Sequence, residues 1–136
     1  MHFPVSPEVA FDYLADPVNR PEWQSSLKGV EDIDGLVRVG QSWIDVTTPG
    51  LRPRMETTEL DRPRRWTERG TWRMVTAELT LEFAPAPGGC EVGVQMHLEA
   101  SGLLRPVGPL LTRLSPLAVR SDLKRAAAIL AKRYPA

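Results

Sequence analysis

Cysteine and histidine are nearly missing from this sequence. One cysteine, Cys90, and two histidines, His2 and His97, stand among 136 residues. A lone cysteine excludes an internal disulfide framework and a cysteine-rich metal site. Two separated histidines make neither a metal-ligand cluster nor a histidine-based triad. Cys90 follows Gly88-Gly89 at a strand start, with no histidine nearby in sequence to activate it. It reads as a structural thiol, because a nucleophile needs an activating base. Net charge is missing too: 17 basic residues balance 17 acidic ones. A nucleic-acid partner calls for a basic excess, so none is expected. Arg62, Arg64, Arg65 and Arg69 do cluster, but acidic residues interleave with them and the stretch reads as a solvated hairpin face. No apolar run approaches the roughly 18 residues of a transmembrane helix, so no integral membrane segment is expected. The start also lacks the basic-then-apolar pattern of a signal peptide, which leaves a cytoplasmic location as the expectation. No glycine loop that cradles phosphate is present, since Gly88-Gly89 follows a proline-rich turn and does not open a helix. Neither a cofactor nor a metal is expected.

What is present suits one soluble domain over residues 1–136, with 42% hydrophobic and 25% charged residues. Its organising stretch is the C-terminal one, Leu103 to Tyr134. Leu103, Leu104, Val107, Leu110, Leu111, Leu114, Leu117, Leu123, Ala126, Ala127 and Leu130 recur there at spacings of three and four. That is an apolar stripe on a helix. Pro106, Pro109 and Pro116 interrupt its first half, and each removes a backbone donor. The regular helix is therefore expected over Leu117–Tyr134. The segment Gly102–Pro116 has three readings, ranked core filling, a bent gate over a cavity, and membrane contact flanked by Arg105 and Arg113.

Before that stretch the chain alternates short strands and turns. Ser6-Pro7-Glu8 opens a first helix, with a cap, a proline at the first position and an acid at the positive end. Asp16-Pro17 ends it. Pro17 to Trp23 predicts a second helical turn anchored by Trp23. Strands are predicted over Leu27–Ile33, Gly40–Thr48, Arg54–Leu60, Arg65–Trp72, Met74–Phe83 and Val92–Ala100, with Pro85 to Gly89 as a hairpin loop. Short turns between consecutive strands make an antiparallel meander, and one apolar face needs a partner. The long helix is the available one.

Three stretches carry a resemblance: Ser6 to Phe11 with Asp16-Pro17 through Pro21-Glu22-Trp23, Thr58 to Arg65, and the proline- and leucine-rich final segment. With them the chain resembles START-like, SRPBCC-superfamily proteins of the polyketide cyclase/dehydrase type over nearly its whole length. The resemblance implies an α+β helix-grip fold. A curved antiparallel sheet of about six or seven strands would wrap a long C-terminal helix, with two short helices after the first strand. It also implies a hydrophobic cavity between sheet and helix for a small, largely apolar molecule. The N-terminus departs from the pattern, since only Met1, His2 and Phe3 precede Pro4. A homodimer through the edge at that short strand is an expectation.

Candidate site residues follow from the alternation. Leu79 and Leu81 on one strand, and Val94, Met96 and Leu98 on the next, would line an apolar wall. Trp43, Trp66 and Trp72 join them, as do Val107, Leu110, Leu111 and Leu114 of the final segment. Trp66, Glu68, Gly70 and Trp72 share one face of their strand. An inward Glu68 in an apolar pocket would serve as acid, base or ligand anchor. The bland alternative, an outward Glu68 or one paired with Arg69 or Arg54 at the rim, is the more economical, because buried unpaired glutamate is rare. Asp45 faces in if Trp43 does and out if Ile44 and Val46 do, and exposure is its default. Glu59 is equally ambiguous, because Leu60 competes for the inward position. His97 alternates with Gln95 and Glu99 on the polar face.

Three function classes fit. The first is binding of a small hydrophobic ligand, such as a lipid, polyketide or aromatic metabolite. The second is a polyketide cyclase, aromatase or dehydrase using Glu68, with or without Asp45, as acid or base. The third is a protein-interaction domain with a filled core. Polar side chains converging inside a pocket would separate the second from the first.

Overall fold

A computed structural model describes residues 1–48, 50–100 and 115–135, the side chain of Ala100 apart. The elements are β1 (His2–Phe3), α1 (Pro7–Ala15), a 3-10 turn (Pro17–Asn19), α2 (Arg20–Trp23), β2 (Leu27–Glu31), β3 (Ser42–Thr47), β4 (Arg54–Asp61), β5 (Arg65–Trp72), β6 (Val75–Ala86), β7 (Gly89–Ala100) and α3 (Pro116–Arg133). All seven strands form one antiparallel sheet in the order β1-β7-β6-β5-β4-β3-β2. The meander thus runs unbroken from β2 to β7, and β1 closes the far edge. This is the α+β helix-grip arrangement that the resemblance implies.

Local chemistry sets the helix ends. Ser6 Oγ accepts from the Val9 backbone N–H, and Ser115 Oγ accepts from that of Ala118. A proline follows each cap at a position whose N–H has no intrahelical partner anyway. Lys132 and Arg133 lie in the last turn of α3, at the negative end of its dipole. The expected segment Gly102–Pro116 lies, over residues 102–114, outside the described residues, and so do Val107, Leu110, Leu111 and Leu114.

The strands correct the expected bounds: β3 shortens to Ser42–Thr47, β4 runs one residue on to Asp61, and three further changes have a local cause. β2 stops at Glu31 because Asp32 takes a left-handed φ of 55°. Arg73 has a φ of 54°, which makes Met74 part of a turn and starts β6 at Val75. The Pro85–Gly89 loop shrinks to Pro87-Gly88, since β6 runs on to Ala86 and β7 starts at Gly89. Pairing of β6 with β5 reaches only Glu82, so the missing N–H of Pro85 breaks no ladder there. Gly89 is required for a different reason: a Cβ on it would sit 1.9 Å from the Phe3 carbonyl oxygen. Only glycine lets β1 cross so close to the hairpin.

The core lies between the concave sheet face and the helices. Leu123, Ala126 and Leu130 of α3 are buried with Phe3, Phe11, Leu14, Trp66, Leu81, Phe83 and Val92. The rings of Phe11 and Phe83 meet edge to face at 5.2 Å. Leu117 lies on the same helix but outside that stripe, 81% exposed against 1% for Leu123. Three polar ties fix the helices to one another. Asp122 of α3 accepts from both the backbone N–H and the hydroxyl of Ser25. Tyr13 of α1 donates its hydroxyl to Glu22 of α2 at 2.9 Å, and Arg133 of α3 also donates to Glu22. The Arg133 and Tyr13 bonds hold the Glu22 carboxyl below its usual range.

The exposure contrast on α3 predicts unequal costs. Leu123→Ala should lower unfolding free energy by about 2–5 kcal/mol, by lost transfer energy plus a cavity. Leu117→Ala should change it by less than about 0.5 kcal/mol, as a surface truncation does. Urea titration of both variants reads the difference, and equal costs would mean that α3 is rotated from this placement.

Candidate functional site

The inward face of the sheet follows strict alternation, except where a bulge interrupts it. On β5, Trp66, Glu68 and Gly70 point inward and Arg69 outward. On β6, Val75, Leu79, Leu81 and Phe83 are buried on the same side. On β7, Val92, Val94, Met96 and Leu98 share the parity of buried Val92. The register sets Ala77 opposite Leu98, Leu79 opposite Met96 and Leu81 opposite Val94. An apolar ladder therefore crosses from β6 to β7.

On β4 the register slips between Thr57 and Glu59. Thr57 faces Glu68 inward, Thr58 is the extra residue, and Leu60 pairs with inward Trp66. That single inserted residue reverses the parity and turns Glu59 to the outside. There it accepts from Arg65 and from the hydroxyl of Thr67, and the Arg65 bond holds its carboxyl below the usual range. The ambiguity at Glu59 is resolved by a bulge that no alternation pattern reveals.

Asp45 overturns its expected exposure. Trp43, Asp45 and Thr47 are the buried residues of β3, and Asp45 is wholly buried. The reason lies in α2. Arg20 is 1% exposed, and its Nε and Nη2 donate to the two oxygens of Asp45 at 3.0 and 2.8 Å. Its Nη1 donates to Glu68 Oε2 at 2.6 Å, and Nη2 also reaches Gln24 Oε1 at 3.4 Å. Trp43 Nε1 donates to Asp45 Oδ1 at 2.9 Å, and the Trp43 ring centroid lies 5.1 Å from the guanidinium carbon. Glu68 is thus inward, as one reading of its strand had it, but its counter-charge is Arg20 and not Arg69 or Arg54. Burial opposes the Arg20 charge, yet Asp45 and Glu68 outweigh it and raise the pKa well above an ordinary arginine's.

Arg20 escaped the sequence reading. It stands in the turn Pro17-Val18-Asn19-Arg20-Pro21-Glu22-Trp23, where an arginine looks like any surface residue. The available signal was indirect: two inward carboxylates on β3 and β5, either side of β4, need a cation.

Among the described residues, two cavities border this face. One of about 30 Å³ lies over β4–β6 and is bordered by Met55, Glu68, Gly70, Trp72 and Leu79 among others. A Cβ on Gly70 would come within 2.8 Å of Met55 Sδ, so the missing side chain gives Met55 room beside Glu68. The other, of about 530 Å³, lies between β7 and α3, where Val94, Met96, Leu117, Val119, Arg120 and Leu123 border it. Leu79 belongs to the first and its cross-strand neighbour Met96 to the second. Val94, Met96 and Leu98 are 40%, 37% and 43% exposed although they share the parity of core residues. Trp43, Trp66 and Leu81 are wholly enclosed in the core, and Trp72 is half-buried under the Arg73 guanidinium.

The other candidates for chemistry are spent. Burial pushes the Cys90 thiol up to about 11, which leaves no thiolate near neutrality. His97 is exposed, and its bond to Glu99 raises its pKa. Among the described residues no cluster suits a metal ion, and no helix is long and apolar enough to cross a membrane.

The family model described as polyketide cyclase / dehydrase and lipid transport matches residues 1–135. The fold is similar to that of protein MLL2253 from Mesorhizobium loti, at TM-score 0.72 and 14% identity, covering 97% of this chain and 93% of that one. It is similar also to protein CV1439 from Chromobacterium violaceum, at 0.67 and 16%, covering 95% and 92%. A third likeness is to Ara h 8.0201, at 0.64 and 14%, covering 88% and 89%. At these identities the likeness is one of fold. No curated protein matches the sequence.

The ion cluster yields a prediction. Arg20→Met leaves Asp45 and Glu68 buried without the guanidinium that binds both, which should cost about 3–5 kcal/mol. Urea titration of the variant beside the unaltered protein reads the cost, and a loss below about 1 kcal/mol would show that the cluster does not need its cation.

Proposed function

Because the chain belongs to the polyketide cyclase/dehydrase and lipid transport family of START-like (SRPBCC) proteins, we propose that it binds a small, largely apolar molecule between β7 and α3. One observation carries this reading. Val94, Met96 and Leu98 keep more than a third of their surface exposed on the face where the core is built, beside a cavity of about 530 Å³. Unfilled apolar surface on a concave face is what an apolar ligand covers, and the volume falls within the usual range for small-molecule sites. Each methylene buried there contributes about 0.8 kcal/mol. Met96 suits such a wall, being unbranched and adaptable. The cavity argues against an interaction domain with a filled core, although such a domain would also expose an apolar patch.

The polyketide cyclase or dehydrase reading rests on Glu68 at the smaller cavity. A carboxylate held at 2.6 Å by a buried guanidinium is fixed in place, which suits it to anchor a ligand as well as to act as acid or base. Glu68→Gln with ligand affinity and turnover both unchanged would remove either role. A homodimer through the β1 edge completes the reading, and a monomer at micromolar concentration in size-exclusion chromatography with light scattering would remove it.

Two measurements test binding. Native mass spectrometry of protein purified from its own host should find a retained apolar molecule. A neutral fluorescent hydrophobic dye should bind the emptied protein, and Met96→Asp should weaken it at least tenfold with little change in melting temperature, since Met96 is already part-exposed. A dye that binds both proteins equally would refute this cavity as the site.

A further inference from the structure

The cavity between β7 and α3 is bordered mostly by hydrocarbon. Val94 and Met96 border it from β7, Leu117, Val119 and Leu123 from α3, and Arg120 stands among the latter. Among the described residues no acidic side chain borders it. Met1 borders it too, but its ammonium already has Glu91 at 3.2 Å and the Val92 carbonyl at 2.9 Å.

Arg120 differs from the other arginines that hold the helices. Arg20 is paired with Asp45 and Glu68, and Arg133, at the far end of α3, with Glu22. Among the described residues Arg120 has neither an ion pair nor a side-chain hydrogen bond. The chain around it offers no counter-charge either. Between Glu99 and Asp122 it carries Arg105, Arg113 and Arg120 and no acidic residue. Asp122 itself is two positions on, which is the other side of a helix, where it is buried against Ser25.

A cation at the rim of an apolar space, with no carboxylate of its own, complements an amphiphile with one anionic head. We infer that the ligand carries a carboxylate or phosphate that pairs with Arg120 while its apolar part lies against Val94 and Met96. A guanidinium suits either head, because its parallel N–H groups match two oxygens of each. Arg120 is thereby a specificity-determining residue that favours the acid over the corresponding alcohol or amine. This rests on the binding reading above and adds the head group to it. Arg120 is exposed, so water and salt weaken the pair, and the preference it supplies is about fivefold.

The test uses the full chain and a neutral fluorescent dye at pH 7.5, displaced by decanoate, monodecyl phosphate, decanol or decylamine. All four share one tail, but their heads differ in how readily they leave water. The reading is therefore the ratio of each acid's Kd to that of decanol, compared between proteins. In Arg120→Gln that ratio should rise about fivefold for at least one acid, and the acid that responds names the head. The decylamine ratio should not rise. Truncating an exposed arginine should leave the melting temperature nearly unchanged. Arg69→Gln removes the same charge from the outer face of β5 and should leave every ratio within twofold. Ratios for both acids that are unchanged in Arg120→Gln overturn the inference and leave the binding reading standing. An equal rise in Arg69→Gln does the same, since net charge alone would then be responsible. So does displacement by decanol with none by either acid. A dye that does not bind at all overturns the binding reading itself.

Discussion

Burying one guanidinium is the constraint on which this structure turns. Removing a charge from water costs several kcal/mol even after relaxation, and only close, well-directed partners offset that. Arg20 obtains them from three places in the chain: Gln24 four residues on, Asp45 on β3 and Glu68 on β5. Each partner is held by something else. Trp43 donates to Asp45, the β4 bulge sets the register that faces Thr57 to Glu68, and Gln24 adjoins Ser25, which binds Asp122 of α3. A displacement of α2, β3 or β5 by an ångström or so would strand a buried charge. The cluster therefore specifies how the short helices dock, a task that nondirectional apolar packing does loosely.

Among the described residues, the rest of the interior divides into a filled half and an open half. Toward β1 and the β6–β7 turn, Phe3, Phe11, Phe83 and Val92 pack against Leu123, Ala126 and Leu130. Further along β7 the same inward parity continues through Val94, Met96 and Leu98, but these residues stay exposed. A core seldom leaves such a row exposed, and this contrast along one strand is the observation on which the proposed binding site rests.

Legibility differed sharply between neighbouring residues. Alternation on β5, β6 and β7 was plain, because inward and outward residues differ in polarity and the strands are regular. Glu68 could be assigned to the tryptophan face but not to a partner. Asp45 went the wrong way: half-buried Ile44 and Val46 compete with Trp43 for the inside, and an aspartate is seldom placed in a core without a visible counter-charge. Glu59 and Leu60 sit beyond a bulge, and one extra residue inverts every later assignment on its strand. Arg20 carried no local signal, since its partners lie 25 and 48 residues away.

The sequence by itself determined the order of elements, the antiparallel meander and the capped helices. Each of these follows from composition, from proline and glycine, or from a period of two or 3.6 residues, and so from near neighbours. Only the tertiary structure decided that Asp45 is buried, that Glu68 is bonded to Arg20, and that Val92 at one end of β7 is buried while Val94, Met96 and Leu98 further along it are exposed. Those are relations between segments far apart in the chain. Their energies depend on distance and on exclusion of water, and neither quantity exists until the sheet has curved and the helices have docked.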